Sequence, residues 1–94
     1  MALLVIHHRV RDFDAWKPVF DEQEAARKEH GGRRHWLYQS VDDGNDVTVA
    51  IEFASREGAE AFVADPSLRQ AMERAGVEGE PGIHIREIRE QVDY

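Results

Sequence analysis

Hydrophobic periodicity switches between extended and helical spacing in a fixed order along this chain, and that order leaves few folds open to it. Leu3, Leu4, Val5 and Ile6 are apolar on both parities of an extended chain, so residues 2–9 read as a strand covered on both faces. Helical spacing follows. Asp12 is a candidate N-cap, and Phe13, Trp16, Val19, Phe20 and Ala26 recur at helical intervals until Gly31-Gly32 ends the stretch, with His30 in its last turn. Pro18 allows two arrangements here: a separate turn over 12–16 with the main helix starting at the proline, or one kinked helix. Residues 33–41 and 47–54 return to strand character around the turn cluster Asp42-Asp43-Gly44-Asn45-Asp46, which makes a hairpin. Val47, Val49, Ile51 and Phe53 share one face of the second of these strands.

Ser55 caps a second helical stretch with Ala59, Phe62 and Val63 on its apolar side. Asp65-Pro66 interrupts it, because the residue before a proline avoids helical angles, and a new segment starts with Asp65 as cap. Leu68, Ala71, Met72 and Ala75 form its stripe and Gly76 ends it. Residues 76–82 read as loop, 83–88 as the last strand and 91–94 as a tail.

The order β-α-β-β-α-β over a single domain, 1–94, implies an α+β ferredoxin-like fold. Its antiparallel sheet has the order 4-1-3-2, with both helices on one face. The opposite sheet face is left bare. A second copy packed sheet to sheet is its simplest cover, so a homodimeric α+β barrel is expected.

Charge narrows the partners. Twelve Lys and Arg against 19 Asp and Glu give a net charge of −7, which argues against nucleic acid and anionic membrane surfaces. With no cysteine, disulfides, thiolate metal sites and cysteine nucleophiles are excluded. No apolar run approaches a membrane span of roughly 18 residues. The opening run lacks the flanks of a secretory signal, so a cytoplasmic protein is expected.

Two stretches carry a resemblance. Val47-Thr48-Val49-Ala50-Ile51-Glu52-Phe53 running into Ala54-Ser55-Arg56-Glu57-Gly58-Ala59 resembles the strand, aromatic, cap and helix of the dimeric α+β barrel proteins of the antibiotic biosynthesis monooxygenase type. Val10-Arg11-Asp12-Phe13-Asp14-Ala15-Trp16 and Asp65-Pro66-Ser67-Leu68-Arg69 resemble that family's start of the first helix and its mid-helix break. The resemblance implies the barrel dimer. It also implies one of several chemistries: cofactor-free quinone-forming oxygenation, haem degradation, muconolactone-type isomerisation or polyketide cyclisation. In the haem-degrading branch the axial histidine falls on Met72, the strand-end tryptophan on Phe53 and the strand-one asparagine on His8, or on His7 after a slip of one. None of the three identities is kept, so no cofactor is expected.

Five histidines are the densest chemical signal. His7 and His8 face opposite sides of one strand, so only one of them can join a given site. One of them can meet His84 across neighbouring strands, and with His35 and Glu52 such a group suits acid–base work or a divalent metal. Tyr38 and His35 can hold a phenol or enol oxygen, although their opposite parity separates them in a regular strand. The candidate catalytic residues are therefore His8, His35, Tyr38 and His84. Trp16, Trp36, Phe53, Phe62 and Met72 are candidate walls for a small hydrophobic ligand. Glu52 in an apolar strand reads as a structural ion-pair member, with Arg34 or Arg86 as partner. The leading expectation is an enzyme acting on an aromatic or polyketide-like substrate, by cofactor-free oxygenation or by proton transfer. The alternatives are a non-catalytic or stress-associated ligand-binding dimer, and a metal-binding protein using the strand histidines.

Overall fold

Local chemistry places the helix starts in the computed structural model, which describes all residues, Met1–Tyr94. The strand β1, Ala2–Val10, leads to α1, Phe13–Glu22. Asp12 caps that helix by accepting from the Asp14 amide, and Asn45 of the hairpin turn accepts from the Phe13 amide at 2.9 Å. Pro18 sits inside α1 without breaking it. The interruption comes later, at Gln23, and α2 runs from Glu24 to Glu29. Neither arrangement read from the sequence placed it there. β2, Gly32–Gln39, and β3, Asp46–Phe53, form the hairpin. α3, Arg56–Ala64, is capped by Ser55, and α4, Pro66–Ala75, by Asp65 with the proline in its first turn, both as the sequence implies. Gly76 closes α4 in the left-handed region, at φ 81°.

The last strand is longer than the sequence suggests. β4 spans Val77–Glu87, so residues 77–82, read above as loop, belong to the sheet. They pair with the far end of β1, Val77 opposite Val10 and Glu78 opposite Arg9, whereas His7 already faces Gly82. Gly79, Glu80 and Pro81 therefore bulge out opposite His8. Gly79 lies at φ +69°, and Pro81 has no amide proton for the ladder. The edge position of β4 makes the proline tolerable.

The sheet order is β2-β3-β1-β4, antiparallel throughout, which is the α+β ferredoxin-like arrangement the element order implies. Register fixes the faces. Leu4, Ile6, His8 and Val10 share a side with Val49, Ile51 and Phe53, and this side is buried. Phe53 and Phe62 meet there with ring centroids 5.6 Å apart. Leu3, Val5, Trp36, Tyr38, Ala50, Glu52 and His84 take the other side. No helix is long and apolar enough to cross a membrane.

Candidate active site

A narrow apolar cavity remains between the buried sheet face and the helices. Ile6, His8, Val49 and Ile51 form its floor. Trp16, Val19 and Phe20 of α1 wall one side, and Phe62, Leu68 and Met72 wall the other. Its free volume is about 40 Å³, room for one or two water molecules, so a ring-sized ligand enters only as the helices part from the sheet. Three polar side chains reach it: His8, Gln23 and Arg27.

His8 is the unusual one. It is 6% exposed, and neither Nδ1 nor Nε2 has a hydrogen-bond partner. Its ring meets Trp16 edge-on, with centroids 5.7 Å apart. Burial, with a smaller push from His7, lowers its pKa to about 4, so the imidazole is neutral at pH 7. A neutral imidazole offers one lone pair and one N–H, and here neither finds a partner among its apolar neighbours. An unpaired buried polar group costs about 1–3 kcal/mol. A ligand hydroxyl or acidic C–H placed against it would recover that cost. The β4 bulge lies opposite His8, so the sheet is distorted beside this residue.

Gln23 sits at the break between α1 and α2, and its Oε1 is also buried without a partner. Arg27, 5% exposed, lays its guanidinium 4.0 Å from the Phe20 ring centroid and donates through Nη1 to the Phe20 carbonyl at 2.9 Å. Sequence reasoning missed both residues. The signal was present: positions 13, 16, 20, 23 and 27 continue one helical stripe across the break, and two polar residues stand on it.

The four expected polar actors divide among different places. His8 is on the cavity floor. His35 lies on the same sheet face but outside, across the Phe20 ring, with centroids 5.0 Å apart. Its pKa is lowered by burial and by the nearby Arg27 and Lys17 charges. Tyr38 and His84 are on the opposite face of the sheet, as is Trp36. Among the expected walls, Trp16, Phe62 and Met72 line the cavity, and Phe53 stands behind Phe62. Glu52, buried on the open face, has Arg34 Nε 3.3 Å from its Oε2, so the expected partner is Arg34, at ion-pair distance but without hydrogen-bond alignment. No three His, Asp or Glu side chains converge as a metal group would require.

No protein-family model and no curated relative matches the chain. Solved structures do. SnoaB, a cofactor-independent oxygenase from Streptomyces nogalater, superposes with a TM-score of 0.77 at 18% identity, covering 99% of this chain and 97% of that one. An antibiotic biosynthesis monooxygenase matches with a TM-score of 0.69 at 14% identity, covering 94% and 98%. A conserved protein from Methanosarcina mazei Go1 matches with a TM-score of 0.71 at 15% identity, covering 92% and 91%. The chain has the fold of the antibiotic biosynthesis monooxygenases along essentially its whole length.

Proposed function

We propose that the cavity is the active site of an enzyme that takes a proton from an aromatic, polyketide-like substrate, with His8 as the base, and lets the resulting anion react with dioxygen. The observation that carries this reading is the neutral, partnerless imidazole on an apolar floor. A cavity that only stores its ligand has no need of one. Trp16 and Phe62 supply flat walls for a fused-ring body. The shared fold of a cofactor-independent oxygenase supports the same chemistry.

An anthrone illustrates the step. Its acidic methylene loses a proton to His8. The electron-rich carbanion transfers electrons to dioxygen and a C–O bond forms. The O–O bond then breaks, the second methylene hydrogen leaves as a proton, and one oxygen departs as water. One anthrone and one dioxygen give one quinone and one water. In the low dielectric of the cavity the imidazolium and the substrate anion stabilise each other, so His8 becomes a useful base only once substrate is beside it. Oxygen uptake with anthrone tests the reading. Uptake matched one to one by quinone formation is expected, and it should fall by about 10²–10⁴-fold in His8→Gln. Quinone formation equal to the uncatalysed background would overturn the oxygenase. Consumption of a polyketide-like substrate without oxygen would move the same base to a cyclisation or isomerisation.

The open sheet face completes the proposal. Trp36 and Tyr38 stay 41% and 52% exposed there, beside the half-buried Leu3 and Val5. A second copy packed sheet to sheet covers them. Native mass spectrometry is expected to give twice the chain mass for the wild type and the chain mass for Trp36→Asp. A monomeric wild type would contradict the barrel.

A further inference from the structure

The aromatic body proposed above accounts for His8 but leaves Arg27 unexplained. An arginine only 5% exposed is almost always paired with an acid. Arg27 makes one hydrogen bond, to the Phe20 carbonyl, and no carboxylate lies within ion-pair distance of it. Burial pushes its pKa down, against a smaller opposing pull from Glu24 and Asp21.

Its surroundings show what is missing. Arg27 is also part of a second depression, between α2 and β2, lined by Lys28, Arg33, Arg34 and His35 with Glu24 as its one carboxylate. Ile51 too is common to both spaces, so apolar cavity and basic cleft adjoin. On a chain of net charge −7 this concentration of cations is out of character. Two of them are engaged: Lys28 Nζ lies 3.9 Å from Glu24, and Arg34 Nε 3.3 Å from Glu52. Arg27 and Arg33 have no acid within ion-pair distance, and the one side-chain hydrogen bond of Arg33 goes to the Met1 sulfur at 3.9 Å. Two free guanidiniums beside an apolar cavity suit one monoanionic group with two acceptor oxygens.

We infer that the ligand of this cavity is an aromatic carboxylate, whose rings lie against Trp16 and Phe62 and whose carboxylate reaches past Phe20 to Arg27 and Arg33. The inference rests on the aromatic-ligand reading of the cavity and narrows it to an acid. Arg27 and Arg33 are binding residues here, and the proton chemistry stays with His8.

Calorimetric titration of the intact protein with 4-(1-naphthyl)butyrate and with the corresponding amide tests it. The carboxylate is expected to bind about tenfold more tightly than the amide at low ionic strength, with the preference shrinking in high salt. In Arg27→Met, which keeps the apolar stem, that preference should fall to about twofold. Arg33 is exposed, so Arg33→Gln leaves the core intact and should cut the preference by about threefold even if the buried variant fails to fold. Equal binding of acid and amide to the wild type would overturn the carboxylate and leave the aromatic cavity standing. A preference that survives Arg33→Gln undiminished would overturn the assignment as well. Binding of neither probe would overturn the carboxylate and the aromatic cavity together.

Discussion

Replacing His8 with leucine is expected to stabilise the protein and end its chemistry. The side chains are similar in bulk, and leucine brings no nitrogen that the cavity floor cannot satisfy. Removing an unpaired buried imidazole should gain about 1–2 kcal/mol at pH 7. The gain should then grow in acid. The folded protein holds the His8 pKa at about 4, below the ordinary 6.5, so between those values the unfolded chain binds a proton that the folded chain refuses. That contribution to stability is complete above pH 6.5 and is lost as the pH falls toward 4. At pH 4.5 the advantage of His8→Leu over the wild type should therefore widen by roughly 2–3 kcal/mol. Urea unfolding of both proteins at the two pH values measures it. A leucine variant less stable than the wild type, or a difference that ignores pH, would show that His8 is satisfied or charged in solution. A residue whose removal strengthens the fold is retained for its chemistry.

Gly58→Ala should produce the largest loss of stability among single methyl additions. A Cβ at Gly58 would overlap the carbonyl oxygen of His30, and both atoms are fixed by structure around them. His30 closes α2, and Gly58 lies in the first turn of α3 with its amide donating to the Ser55 cap at 3.1 Å. Relief requires α2 to lift from α3, which costs about 3 kcal/mol or more. For a domain of this size that is a fall of roughly 15 °C in Tm, read by thermal unfolding. A change of only a degree or two would mean that the two helices are not held this closely. Because α2 carries Arg27, the same displacement should loosen the cavity wall.

The sequence made the frame legible wherever a local rule decided the outcome. Asp12, Ser55 and Asp65-Pro66 start helices because an extended cap residue supplies an acceptor for free amides, and the structure uses all three. The first strand's apolar run on both parities also marked a sheet with a second face to cover. The start of β4 was not legible, because Glu78, Gly79, Glu80 and Pro81 carry turn and charge signals locally. Only the pairing of Val77 and Glu78 with the distant end of β1, and of Gly82 with His7, carries the strand through this stretch, with residues 79–81 bulged between. Pro18 misled for the opposite reason. A proline is a strong local signal, yet the packing of Trp16 and Phe20 on the sheet keeps α1 continuous through it.

The site was half legible for a similar reason. Parity shows that His7 and His8 point opposite ways, but not which of them faces the helices. That depends on which sheet face the crossovers cover, and the same choice sends Tyr38 and His84 to the open side. Gln23 and Arg27 escaped notice because polar residues on a helix are ordinarily solvated. Only the stripe they continue shows that they point inward.

The protonation of the working base is the center of the account, and the pH dependence of kcat/KM for anthrone oxidation measures it in the free enzyme. With His8 at a pKa of about 4, the profile should stay level from pH 8 down through 6 and fall only as the pH approaches 4, with His8→Gln at background throughout. An acid limb centred near 6.5 would mean that the working base is an ordinary solvated histidine, and a fully active His8→Gln would mean that it is not His8 at all.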